Sequence, residues 1–149
     1  ASCALRLFNV YGPRQRADSA YAAAVPIFME RGLKGEPLTI FGDGHQTRDF
    51  VFVNDVADAV FRAATSENCG VFNVGTASET RVLELADTIV RITGGVGEHD
   101  FQPSRKGDAR ATYADIASIR QALGWSPAHT LEQGLTATLA WYREKLGIR

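Results

Sequence analysis

Two arginines stand beside turns, where a side chain is free to meet a ligand. Arg48 sits in QTRDF, between a glycine-rich turn and an apolar run, and Arg105 sits in SRKGDAR with Lys106, Asp108 and Arg110. Guanidinium forks match phosphate oxygens bidentately, so two arginines far apart in sequence are able to clamp an anion from opposite sides. Spacing alone leaves that reading open, because most arginines are solvated surface residues. Asp49 and Asp108 each lie close to a basic residue, and a surface ion pair is the default expectation for both. Phe41 closes an apolar run at a glycine turn, where its ring either stacks on a base or joins the core. Asn9 follows an apolar run and either hydrogen-bonds a ligand or caps a turn.

Other chemistries find little support. Cys3 and Cys69 belong to no CxxC motif and read as small buried hydrophobes in a reducing, cytoplasmic compartment. His45, His99 and His129 are scattered without ligand-like spacing, so no metal site is expected. The sequence contains no GxGxxG, no GxxGxxG followed by an acidic residue, and no P-loop. No Tyr is followed by Lys four positions later; Lys145 is only three beyond Tyr142, on a terminal amphipathic pattern.

The elements that must position these residues are short. Residues 3–8 read as an apolar strand that stops at the turn-rich NVYGPRQ. Pro26 suits the first turn of a helix carrying Ile27, Phe28, Met29 and Leu33, and Gly35 is placed to close it. Leu38–Phe41 reads as a strand ending at Gly42-Asp43-Gly44. Phe50–Val53 reads as another, leading into a helix capped by Asn54 or Asp55 with Val56, Ala59, Val60 and Ala63 on one stripe. Val71–Val74 is a strand candidate. Thr80 is expected to cap a helix with Leu83, Ala86 and Val90 recurring, ended by Gly94-Gly95. Glu98–Gln102 is a further strand, Asp115 caps a short helix to Leu123, and Gly124 ends it. Thr130 with Gln133 forms a capping box for a last helix to about Leu146, whose apolar side is Leu131, Leu135, Leu139 and Tyr142.

With 149 residues, 45% of them hydrophobic, the chain suits one mixed α/β domain with no disorder or disulfide framework. Sixteen basic residues against seventeen acidic give a net charge of -1, so nothing favours nucleic acid. No apolar run approaches the roughly 20 residues of a membrane span. The apolar CALRLF at the outset reads as a core strand without a lead-in, and the expectation is a piece of a larger fold.

Four segments together resemble the extended short-chain dehydrogenase/reductases of the NAD-dependent epimerase/dehydratase family, in particular enzymes of the UDP-glucose 4-epimerase kind. They are LRLFNVYGPRQ at 5–15, VPIFMERGLKGEPLTIFGDGHQTRDFVFVNDVADAV at 25–60, FNVGTASETRVLELADTI at 72–89 and SRKGDARATYADIASIRQALGWSP at 104–127. Their order and spacing match across essentially the whole chain. The resemblance implies the α/β C-terminal lobe of that fold, a mixed small sheet plus helices, with the N-terminal Rossmann part absent and residues 1–149 forming one nucleotide-sugar-binding lobe.

It also implies roles. Asn9 would bond the diphosphate region of a UDP-sugar, Thr39 and Phe41 would line the base pocket, and Arg48 and Arg105 would clamp the diphosphate. Asp108 would hold a ribose hydroxyl or orient Arg105, and Leu7 and Phe8 would lie near the nicotinamide of NAD once the missing half is supplied. Two departures stand out. Ala22-Ala23-Ala24 occupies a stretch that often carries a polar residue, and Lys106 replaces the proline common in the phosphate loop.

Epimerisation in the family passes a hydride to NAD and back to the other face of a rotated keto sugar, with a Tyr-x-x-x-Lys pair serving as base. The glycine-rich NAD loop and that pair lie upstream of FNVYGP in the family. The chain is therefore expected to have no catalytic residue of its own, to bind no NAD alone, and to be incompetent for turnover by itself. The alternatives are a stand-alone binding module, docking to a separate Rossmann chain or associating with itself through the N-terminal strand, and an inert remnant. ADP-heptose and UDP-uronic acid are the alternative substrates.

Overall fold

The computed structural model describes residues 2–18 and 23–148. Eight strands and five helices follow in the order β1 (Cys3–Leu7), β2 (Asn9–Tyr11), α1 (Ala24–Lys34), β3 (Leu38–Phe41), β4 (Thr47–Arg48), β5 (Phe50–Phe52), α2 (Val53–Thr65), β6 (Gly70–Val74), β7 (Thr80–Arg81), α3 (Val82–Thr93), β8 (His99–Gln102), α4 (Ala117–Leu123) and α5 (Leu131–Leu146). The strands form four pairs. β1–β6, β2–β5 and β3–β8 are parallel, and β4–β7 is antiparallel.

The segment expected to be all turn holds a strand instead. β1 runs beside β6 as far as Leu7 opposite Val74, and then the chain changes partner. Phe8 N donates to Val74 O, Asn9 N donates to Asp49 O, and Asn9–Tyr11 pairs with Phe50–Phe52. The turn residues Gly12 and Pro13 act only after this second pairing is complete.

α1 follows its sequence closely. Pro26 lies in the first turn, where its missing N–H costs nothing, and Gly35 ends the helix with φ 67°, a left-handed conformation that favours glycine. α5 has the capping box in full: Gln133 N donates to Thr130 Oγ1 at 3.2 Å and Thr130 N to Gln133 Oε1 at 2.8 Å. α2 and α3 start differently from expectation. Strands run directly into both, with Phe52 and Arg81 at the N-cap positions and no side-chain cap. Thr80 instead pairs with Arg48 between β7 and β4. Asp115 accepts the Ala117 N–H at 2.9 Å, but the N-cap position of α4 belongs to Ile116.

Asp55, expected to be a cap, is a buried anchor. Its carboxylate accepts from Ala128 N, His129 N and His129 Nδ1, while its carbonyl accepts from Trp125 Nε1. These bonds satisfy a charge that burial would otherwise penalise, and they fix the 125–130 segment to the start of α2.

Two apolar clusters result. One gathers Phe28, Met29, Leu38, Ile40, Leu85, Ile89, Leu135 and Tyr142 between α1, α3, α5 and β3. The other places Phe72, Val74, Ile116, Ile119 and Trp125 between α2, α4 and β6. The expected stripes hold in α5 and only partly elsewhere, since Val60 on α2 is exposed and Leu85 with Ile89 leads the buried face of α3. Cys3 and Cys69 are both free, but Cys69 is exposed and Cys3 only partly buried, so they are not a buried pair.

Candidate functional site

β3 alternates strictly. Leu38 and Ile40 are fully buried in the core, so Thr39 and Phe41 face the other way, over a pocket of about 420 Å³. α1 walls one side with Ile27, Phe28 and Arg31, and β2 contributes Asn9 and Tyr11. Arg48 enters from β4, and the 103–110 loop brings Arg105 and Asp108. Asn9, Thr39, Phe41, Arg48, Arg105 and Asp108 therefore line one cavity, although more than 90 residues separate the first from the last.

Each of these side chains has a local reason for its position. Asn9 stands where the chain changes sheet partner, and its Nδ2 donates to Asp49 O at 3.2 Å. Arg48 is the inner member of an ion pair with Asp108, its side chain 15% exposed against 38% for the carboxylate. Its Nη1 also donates to the Thr47 carbonyl at 2.6 Å. Arg105 lays its guanidinium over the Phe41 ring, 3.8 Å from the centroid. Asp108 thus pairs with Arg48 and does not orient Arg105 through its side chain; the link between them is the Asp108 N–H to the Arg105 carbonyl at 3.2 Å.

Electrostatics also fasten the loop to the β3–β4 turn. Arg110 Nη1 donates to both Asp43 oxygens at 2.9 and 3.0 Å. That guanidinium, helped by the His45 N–H, holds the Asp43 carboxyl well below the usual carboxylate range, at about 2. Burial pushes the Tyr11 hydroxyl far above its ordinary value, and it donates to the Leu131 carbonyl at 3.1 Å.

Three residues that matter to the pocket escape a reading of the sequence. Asp49 is not a surface ion-pair member but wholly buried. Its carboxylate accepts from Thr76 N (2.7 Å), Thr76 Oγ1 (2.6 Å), Ala77 N (3.0 Å) and Ala114 N (3.0 Å). A Cβ on Gly75 would come within 2.7 Å of one of its oxygens, so only glycine lets the loop approach so closely. Gln46 is nearly buried and its Nε2 donates to the Phe41 backbone carbonyl at 2.8 Å, tying down the end of β3. Arg31 lies one helical turn from Ile27 and Phe28, and this i, i+3, i+4 relation is the signal that places it on the same wall.

Leu7 and Phe8 do not join this pocket. Leu7 is 49% exposed and Phe8 packs against the second apolar cluster. Of the alanine stretch, Ala23 and Ala24 line the pocket, while Ala22 lies outside the described residues.

Chemically the lining is suited to an anion that carries an aromatic group. Three guanidiniums face one carboxylate, an aromatic ring lies beside them, and no histidine, cysteine or lysine is among the lining residues. α1, α2 and α3 start after Ala23, Phe52 and Arg81, so none offers the glycine-rich turn that receives a dinucleotide pyrophosphate. No group of three or more potential metal ligands occurs among the described residues, and no helix there is long and apolar enough to cross a membrane.

Comparison with known proteins accords with this geometry. Residues 1–75 match the NAD dependent epimerase/dehydratase family. The chain is 44% identical over 138 residues to the UDP-glucose 4-epimerase of Mycolicibacterium smegmatis, covering 92% of this chain and 44% of that protein. The crystal structure of the Thermotoga maritima UDP-glucose 4-epimerase with UDP-glucose superposes with a TM-score of 0.92 at 43% identity, covering 97% of this chain and 46% of that one. The UDP-glucuronic acid 4-epimerase of Bacillus cereus, solved with UDP-glucuronic acid and NAD, gives 0.86 at 33% identity over 95% of this chain and 45% of that one. The chain thus spans less than half the length of these relatives. It belongs to the NAD-dependent epimerase/dehydratase family, and its α/β fold is that of the C-terminal lobe of the extended short-chain dehydrogenase/reductases.

Proposed function

We propose that residues 1–149 form the nucleotide-sugar-binding lobe of a UDP-sugar 4-epimerase-like protein, and that this polypeptide alone does not catalyse epimerisation. The observation that carries the reading is the convergence of Asn9, Thr39, Phe41, Arg48, Arg105 and Asp108 on one pocket. Phe41 offers a face to the base, with Thr39 beside it on the same strand face. Arg48 and Arg105 receive the diphosphate, whose two charges need paired cations once water is excluded. Asp108 exchanges Arg48 for a ribose hydroxyl as the ligand enters, and Asn9 donates toward the diphosphate. Leu7 and Phe8 face the nicotinamide in an assembly that includes an NAD-binding half. UDP-glucose is the first substrate to test, with a UDP-uronic acid next, as in the Bacillus relative; ADP-heptose has no comparable support from the relatives described here.

The test pairs binding with turnover. UDP-glucose should raise the melting temperature of the purified chain, and Arg105→Ala should remove that shift. With NAD and UDP-glucose supplied together, no UDP-galactose should form. Conversion by the chain alone would contradict the incompetence, and a melting temperature indifferent to UDP-glucose would contradict the binding.

A second reading has its own observation. Among the described residues β1 pairs with β6 on one side and with no strand on the other, and Leu7, Val71, Val60 and Phe61 are 49%, 54%, 50% and 66% exposed. Such an edge with apolar neighbours suits docking to a separate Rossmann chain or to a second copy.

A further inference from the structure

A third arginine reaches the pocket from α1. Arg31 lines the same cavity as Thr39 and Phe41, and its guanidinium is held in place from two sides. Nη1 donates to Thr39 Oγ1, and Nε lies 3.4 Å from Glu36 Oε2. The Thr39 hydroxyl stands 3.5 Å from Asp100 Oδ2, and the other oxygen of that carboxylate, Oδ1, accepts from Gln102 Nε2 at 2.8 Å. A hydroxyl that accepts from Arg31 keeps its own proton for Asp100, so the direction of the chain of bonds is fixed. Nη2 of Arg31 has no partner among the described residues.

Thr39 and Phe41 are two residues apart on one strand face, about 6.5–7 Å along β3. A planar base laid against Phe41 therefore presents an edge toward Thr39 and Arg31. A guanidinium carries donors only, so the edge it reads must carry acceptors. Uracil and cytosine share the O2 acceptor and differ at position 4, where uracil presents a keto oxygen and cytosine an amino donor that would meet Arg31 donor to donor. A diphosphate contact is less suited to Arg31, because Arg48 and Arg105 approach from β4 and the 103–110 loop while Arg31 stands at the Thr39 end.

Resting on the nucleotide-sugar reading above, we infer that Arg31 is a specificity-determining residue. Held by Thr39 and Glu36, it directs Nη2 at the 4-keto oxygen of the base and selects a diketo pyrimidine over its 4-amino counterpart.

Calorimetric titration with UDP and with CDP, on the wild-type chain, Arg31→Met and Arg31→Lys, tests this. Methionine is a good helix former, and a melting curve on each variant verifies that α1 remains intact. The wild-type chain should bind UDP about tenfold or more tightly than CDP. Arg31→Met should weaken UDP about tenfold and leave CDP within about twofold. Arg31→Lys keeps the charge without the fork and should not restore the preference. An equal loss for both nucleotides in Arg31→Met would make Arg31 a phosphate contact and overturn the inference, as would an unchanged preference. Equal wild-type affinities would overturn it while leaving the nucleotide reading standing. Binding of neither nucleotide by the wild-type chain would remove both.

Discussion

Asp49 accepts four hydrogen bonds without exposing any surface, and three of the donors are backbone N–H groups of the 75–77 and 114 segments. Removing the carboxylate leaves those donors buried and unpaired, at about 1–3 kcal/mol each when no water replaces the bond. Ala77 adds to the demand, since its φ of 55° is a left-handed conformation that alanine disfavours. Asp49→Ala should therefore cost at least about 3 kcal/mol in urea unfolding, with Asp49→Asn recovering only part of it; a loss below about 1 kcal/mol would contradict this account. Tyr142 makes a pH prediction. Burial, reinforced by Glu30, pushes its hydroxyl up to about 12, and the proton is donated to the Gln15 carbonyl. The folded value lies above the unfolded one, so the contribution is complete below pH 10 and is lost as pH rises from there to about 12. Tyr142→Phe should flatten that alkaline loss. At this scale the family resemblance singled out residues that share one pocket, such as Arg48 and Phe41. It misled where the charge next door in sequence differed from the partner in space: Asp49 adjoins Arg48 along the chain yet turns inward to backbone donors.

Helix starts divide by how the chain enters them. A helix that follows a loop needs a polar cap, and Thr130 with Gln133 supplies one for α5 that is legible from residue types alone. α2 and α3 follow strands immediately, so their entry is set by β5 and β7 pairing and the nearby polar residues serve elsewhere. Asp55 is the instructive case: it has the residue type of a cap, but the Ala128–His129 segment, more than 70 positions away, takes its carboxylate. The β2 strand was hidden for a similar reason, since its pairing with β5 is non-local and Gly12-Pro13 dominates the local pattern. Thr130→Ala should lower stability by about 1 kcal/mol, measured by thermal or urea unfolding, and Thr130→Ser should retain most of it. An unchanged stability in the alanine variant would show that tertiary packing of Leu135, Leu139 and Tyr142 alone holds α5.

Across the whole molecule the pocket is a property of topology. β3, β4, α1 and the 103–110 loop each contribute side chains that are unremarkable alone, and the parallel β3–β8 pairing brings the loop after β8 over the Phe41 end. Fold class, and which residues converge on the pocket, were legible from four motifs read together, while the place of Arg31 and the Arg48–Asp108 ion pair needed the structure. The unpaired β1 edge and the exposed Leu7 and Val71 lead to an expectation of self-association, which multi-angle light scattering would register as a mass above the monomer. Leu7→Lys should shift it toward the monomer; a monodisperse wild-type monomer would contradict the expectation. The central claim, that the six converging residues form a nucleotide-sugar site, is tested most directly by calorimetric titration of UDP-glucose into the wild-type chain and Arg48→Ala. The account predicts saturable one-to-one binding that the substitution weakens about tenfold or more, as loss of a charge-assisted contact requires. Equal heats of binding in both proteins, or none in the wild type, would contradict it.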